Sequence, residues 1–223
     1  MSNDLLSVQA EPRSQFGQGL VWMALSMASF IGMSVGSREL AATLSIQQVL
    51  FFRALVGLFV ILALGRALLP ELRGLKLIRL HLLRNVVHFV AQYLWTIGVV
   101  LLPLASVFAL EFTMPIWVAF FAWIFLKERL TTPRILATIG GFIGVLVIVR
   151  PGIGMIDPAA GLVLIAAAGY GLSLILVKQL TRQCSPGAIV VWMILIQLPL
   201  GFLAALTDWR AVQVTDIPWM LVA

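Results

Sequence analysis

A single cysteine, Cys184, stands in 223 residues, which excludes an internal disulfide framework and any cysteine-based metal cluster. Charge is scarce too: Asp, Glu, Lys and Arg together make up 11% of the chain, against about 25% in soluble domains. With 61% hydrophobic residues beside so few charges, an ordinary soluble domain is excluded. The spacings that carry common catalysis are missing as well. There is no H-E-x-x-H, no G-x-S-x-G and no Walker loop between Gly and Lys-Ser/Thr. Neither an enzyme nor an ATP-driven pump is expected, and no metal or cofactor is called for. The first 18 residues lack the basic start, apolar middle and small-residue end of a cleaved signal, and 1–18 is read as a short polar tail. The net charge of +6 comes from residues lying singly or in small groups between apolar runs, which points to membrane topology and not to nucleic acid.

What the chain does hold is a series of apolar runs: Gly19–Leu40, Ile46–Leu64, Leu82–Leu102, Leu104–Leu126, Ile135–Val149, Ala159–Val177 and Gly187–Leu206. A helix rising ~1.5 Å per residue crosses a ~30 Å hydrocarbon core in about 20 residues. These runs predict an all-α polytopic membrane helix bundle with seven complete spans, the fifth short enough to stand upright or thin the bilayer. An eighth run opens at Ile217 and reaches Ala223 within seven residues. A spanning helix cannot stop there with its backbone groups unpaired in hydrocarbon, so the chain is expected to be cut short at its C-terminus.

Lys and Arg set the orientation. With the tail cytoplasmic, the inner segments hold Arg13, then Arg66, Arg73, Lys76, Arg79 and Arg84, then Lys127, Arg129 and Arg134, then Lys178 and Arg182. The outer segments hold only Arg38, Arg150 and Arg210. This positive-inside bias places the N-terminus in the cytoplasm. A weak repeat is also visible: Gly19-Leu20-Val21 and Gly161-Leu162-Val163 open the first and sixth spans, and Arg38-Glu39-Leu40 and Lys178-Gln179-Leu180 close them. Five spans separate the copies, so the second enters the membrane upside down. Inverted repeats are a recurring build of secondary transporters, with the substrate near the midplane.

Few polar groups fall inside the runs, and an ionisable group in a bilayer usually faces a cavity or another charge. Arg53 and Glu111 each lie about seven residues from the outer end of their span, hence at one depth, and are expected to pair. Either the pair is structural, or Arg53 clamps an anionic group, or Glu111 is the counter-charge for a cationic one and a proton carrier. In the third span His88, Gln92 and Trp95 share one helical face, with Trp95 at the level of Arg53 and Glu111. His88 is either a packing residue or, with Glu111, a proton relay, and Arg84 is expected to snorkel at the cytoplasmic interface. The candidate substrate residues are thus Arg53, Gln92, Trp95 and Glu111, with Tyr93 and Trp117 as further cavity aromatics. Gly140 and Gly144 form a G-x-x-x-G read as helix packing within the bundle, a homodimer face being the alternative. Pro115 removes a mid-span backbone hydrogen bond four residues after Glu111 and should bend the helix.

An Arg-bearing second span (FFRALVG, Phe51 to Gly57), a fourth span closing in Leu126-Lys127-Glu128-Arg129-Leu130, and a Gly-rich fifth span ending in Arg150-Pro151-Gly152 resemble the EamA-type drug/metabolite transporter family. The stretch from Arg84-Asn85 through Trp95 to Glu111-Phe112-Thr113-Met114-Pro115 is similar to members related to carriers of S-adenosylmethionine and like metabolites. The resemblance implies ten spans in two inverted five-helix repeats, here 19–151 and a partial 159–223. It implies a multi-pass inner-membrane carrier, with lipid and a small organic substrate (amino acid, nucleoside-like or cationic compound) as partners. With the second repeat incomplete, the 223-residue chain alone is expected to insert without transporting; the alternative is a truncated, non-transporting assembly partner.

Overall fold

The computed structural model describes residues 12–64, 77–128, 139–144 and 157–223, together with 136 and 147. Among them the chain is helical, without strands: α1 (Pro12–Thr43), α2 (Ile46–Leu64), α3 (Ile78–Leu101), α4 (Leu104–Glu111), α5 (Met114–Leu126), α6 (Pro158–Leu180), α7 (Pro186–Ala205), a 3-10 turn (Val214–Asp216) and α8 (Ile217–Val222). Among the described residues five stretches are long and apolar enough to cross a membrane: Gly17–Thr43, Ile46–Ala63, Leu104–Leu126, Pro158–Leu180 and Pro186–Ala205. The third predicted run is the 24-residue α3, which carries Arg79, His81, Arg84 and His88. Most of the fifth predicted run lies outside the described residues. Its part at 139–144 is helical and exposed, and a Cβ added at Gly140 or Gly144 would meet nothing within 4 Å, so the internal packing expected of them finds no partner among the described residues.

Helix starts are written in the local sequence. At α2, Ser45 Oγ accepts from the Gln48 amide at 3.3 Å while Gln48 Oε1 accepts from the Ser45 amide at 3.2 Å, a reciprocal capping box. At α6, Asp157 accepts from the Ala159 amide at 2.8 Å with Pro158 as first helical residue. At α7, Ser185 accepts from the Ala188 amide at 3.2 Å, ahead of Pro186.

The predicted fourth span is two helices. Pro115 has no N–H to give the Glu111 carbonyl, so α4 stops at Glu111 and α5 begins at Met114 after Phe112 and Thr113. The expected bend is therefore an interruption, and it lies directly beside Glu111. The α3 terminus meets a similar problem, since Pro103 cannot donate to the Val99 carbonyl. Arg38 of α1 supplies the missing donor: its Nε reaches Val99 O at 2.7 Å, and its Nη2 donates to Leu102 O.

Around α6 the bundle is organised by small residues. A Cβ at Gly98 of α3 would stand 2.2 Å from Val163, and one at Gly169 of α6 would stand 2.9 Å from Ala91. These two contacts fix α3 and α6 as antiparallel neighbours. Gly171 lets the backbone of α5 approach, because a Cβ there would meet Val118 N at 3.1 Å and Trp117 Cβ at 2.9 Å. The main core joins Trp95, Val99, Val107, Leu110, Val163 and Ala166 from α3, α4 and α6. On the other side α2 packs along α7 through Gly57 against Ile194 and Gly201 against Phe51. Helix α8 closes on Leu40, Leu44 and Val49 through Met220 and Ala223. Large apolar side chains such as Phe59, Leu62, Leu101, Trp123 and Leu203 point outward, as a lipid-facing surface requires.

Candidate functional site

Between α1, α2, α3 and α7 lies a cavity of about 750 Å³, with Leu221–Ala223 along one side. Its walls are apolar and aromatic, including Trp22, Phe30, Met33, Leu50, Met193 and Ile194. The polar groups on it are Ser26 and Ser29 from α1, Arg53 from α2, Gln92 from α3 and Gln197 from α7. A mostly apolar hollow of this size with a few convergent polar groups has the character of a small-molecule site.

Two of the four predicted substrate residues, Arg53 and Gln92, line this cavity together. Arg53 Nη2 reaches the Met33 sulfur at 2.9 Å, and its Nη1 is buried without a hydrogen-bond partner among the described residues. The Gln92 backbone carbonyl accepts from Thr96 Oγ1 at 2.8 Å, and Gln92 lines the cavity.

The other two, Trp95 and Glu111, form a pair of their own behind that wall. Trp95 is 1% exposed, and its indole Nε1 donates to Glu111 Oε2 at 2.8 Å. Its ring lies 5.7 Å from that of Phe30, the side chain that separates this pair from the cavity. Trp95 and Glu111 are thus at one depth, as their positions along the spans predicted. The direct pairing expected between Arg53 and Glu111 is not what forms: the ion pairs among the described residues are Lys178–Glu128 and Arg210–Asp208, both at helix ends. Helix rise fixes depth but not the direction a side chain takes around its axis: Arg53 turns to Met33 and Glu111 to Trp95.

His88 faces α6 as well. Its ring sits 5.3 Å from that of Tyr170, and Nδ1 is 3.4 Å from Ser173 Oγ. Arg84 departs from expectation. It is 8% exposed and donates from Nη1 to Asn85 Oδ1 at 2.9 Å, inside the bundle and not snorkelling out of it. The cause is the polar floor around it, where Asn85 is anchored to the His81 carbonyl at 2.8 Å and His81 stacks on Trp192 at 5.4 Å. Tyr93 and Trp117 are also off the cavity: Tyr93 accepts from Gln47 at 3.4 Å, and Trp117 backs onto Gly171.

Sequence reasoning assigned no site role to Tyr170 or Ser173, and singled out Gln197 as the one polar mid-span group of the sixth and seventh spans. The signal for Tyr170 was available: it is one of only two tyrosines in the chain and sits mid-span between two glycines. Gln197 is the isolated amide of an otherwise apolar helix. Gln48, also unassigned, is fully buried and holds the loop after α7, donating to the Arg210 carbonyl at 2.8 Å and accepting from its amide at 3.0 Å.

Known proteins resemble this arrangement in sequence and in fold. An S-adenosylmethionine uptake transporter of Rickettsia conorii is 28% identical over 165 residues, covering 72% of this chain and 55% of that protein. A riboflavin transporter of Rhizobium johnstonii is 30% identical over 198 residues, covering 87% of this chain and 65% of its own length. The chain thus spans between about half and two thirds of these relatives. A solved crystal structure superimposes with a TM-score of 0.57 at 17% identity, over 88% of this chain and 73% of the other, a likeness of fold alone. A model of the EamA-like transporter family matches residues 17–150, from the start of α1 past the interrupted fourth span and through most of the chain's polar interior. By that match the chain belongs to the EamA-like transporter family.

Proposed function

We propose that the full-length protein is a secondary carrier that moves a small organic metabolite across a bacterial inner membrane by alternating access. The observation that carries this reading is the cavity shared by Arg53, Gln92 and Gln197, with helices from both ends of the chain as its walls. In this reading 19–151 is one five-helix repeat, 159–223 belongs to a second that enters the membrane inverted, and the N-terminus is cytoplasmic. The antiparallel pairing of α2 with α7 supports it, since inverted copies bring corresponding helices together across the substrate site. Relatives named for S-adenosylmethionine and riboflavin suggest a cargo with an extended aromatic or heterocyclic body, which the apolar walls would suit.

Glu111 and His88 supply the coupling part of the reading. His88 lies against Tyr170 and Ser173 of α6, and Glu111 is held by Trp95 behind Phe30 of the cavity wall, so a proton taken up by Glu111 would be felt at the cavity. Uptake of labelled metabolites into proteoliposomes containing the full-length protein tests the proposal. Saturable accumulation is expected, with at least tenfold loss of transport in Gln92→Leu, about the effect of one well-placed hydrogen bond to cargo. Accumulation driven by an imposed pH gradient should disappear in Glu111→Gln while counterflow persists. Uptake that does not saturate, or that ignores Gln92→Leu, would remove the carrier reading.

A further inference from the structure

We infer that the cargo carries a carboxylate, bound jointly by Arg53 of α2 and Gln197 of α7; this rests on the carrier reading and narrows it. The two side chains face each other by register. Gly201 of α7 is closed on Phe51, and Gly57 of α2 is closed on Ile194, so the helices run antiparallel and the level of Arg53 falls beside Gln197. Both residues line the same cavity.

Each of them brings a donor with nothing to donate to. Arg53 Nη1 and Gln197 Nε2 are buried without a hydrogen-bond partner among the described residues, and Gln197 as a whole is 7% exposed. Buried donors are almost always paired, and two orphans on residues that line one cavity can meet an acceptor there once their side chains turn toward it. The guanidinium has a further deficit. Its Nη2 meets only a thioether, a weak acceptor without charge. Among the described residues no Asp or Glu side chain lines the cavity, and Glu111 is turned to Trp95. A cation held in an apolar wall with no counter-ion calls for an anion. A planar carboxylate fits: one oxygen takes the guanidinium N–H and the other the Gln197 amide N–H. A cationic head would meet a like charge here. The rest of the cargo would lie on Trp22, Phe30 and Met33.

A guanidinium waiting for its anion should weaken the empty protein. Thermal melts of the full-length protein in detergent are therefore expected to rise in Arg53→Leu by about 2 °C or more, whereas an arginine with a structural partner would make the same variant melt lower. Indoleacetate is the probe for the bound state, with indoleacetamide and tryptamine as neutral and cationic controls. Indoleacetate should raise the melting midpoint of the wild type in a saturable way. The shift should vanish in Arg53→Gln, shrink in Gln197→Leu and return in part in Arg53→Lys. Tryptamine should give none. A lower midpoint for Arg53→Leu, equal stabilisation by tryptamine, or no stabilisation by indoleacetate would each overturn the inference. The carrier reading is separable from it: saturable, Gln92-dependent uptake of an amine would leave the carrier standing and remove the carboxylate.

Discussion

Trp95→Ala is expected to lower stability by ~3–5 kcal/mol, the range for removing a fully buried aromatic. The side chain is 1% exposed and touches the core contributed by α3, α4 and α6, so little can collapse into the space it leaves. A second loss rides on the first. Without the indole N–H the carboxylate of Glu111 gives up its donor, and a hydrogen bond to a charged group is worth about 1.5–3 kcal/mol. Trp95→Phe separates the two, because it keeps most of the ring and removes only the donor. In a double-mutant cycle Trp95→Phe should cost ~1.5–3 kcal/mol beside Glu111 and much less beside Glu111→Leu, where no acceptor waits. Chemical denaturation in mixed micelles, followed by tryptophan fluorescence and circular dichroism, gives the four values. Equal costs in both backgrounds would mean that the 2.8 Å contact stabilises nothing.

The second large effect belongs to Arg38, outside the cavity. Pro103 deprives the Val99 carbonyl of its helical donor, and Leu102 turns the chain before α4 can begin. Arg38 bridges both carbonyls and so joins α1 to the end of α3. Arg38→Leu should cost roughly 3 kcal/mol, the low end for two charge-assisted hydrogen bonds at a helix C-terminus. Arg38→Lys should recover part of it, since an ammonium reaches one carbonyl but cannot bridge two in a fixed fork. Leu102→Ala, which leaves both carbonyls in place, serves as the control for a general weakening of that corner. An Arg38→Leu protein as stable as the wild type would show the bridge to be incidental.

Much of this fold was legible because hydropathy and caps are local. Ile46–Leu64 is found as predicted, and the runs predicted from Ala159 and Gly187 begin one residue earlier, at Pro158 and Pro186, where Asp157 and Ser185 cap them. The position of Pro115 announced a distortion but not its size, since whether a proline bends or breaks a helix depends on what its neighbours offer the freed carbonyl. The shared level of Trp95 and Glu111 along the helices was legible in the same way, and the two do meet. Azimuth was not. In a helix such as α2 nearly every face is apolar, so periodicity gives no direction in which Arg53 should point. The expected Arg53–Glu111 pair failed on that ground, and so did the reading of Arg84 as a snorkelling residue. Tyr170 was overlooked for a related reason: it matters through His88, far away in sequence, which only the packing of α6 on α3 brings near.

The central claim is that cargo occupies the cavity walled by Arg53, Gln92 and Gln197, and occupancy can be read by protection. Ser29 lines that cavity from α1 and is exposed, so Ser29→Cys in a Cys184→Ser background should react with a polar maleimide. A transported solute at saturating concentration should slow that reaction about tenfold or more, as expected when the site is almost always filled. Protection should be lost in Gln92→Leu. A cysteine at Thr207, exposed beyond the end of α7, should react at one rate with and without solute. Protection of Ser29→Cys that needs Gln92 and spares Thr207→Cys is the result predicted; a solute that is transported while Ser29→Cys reacts at an unchanged rate would contradict the account.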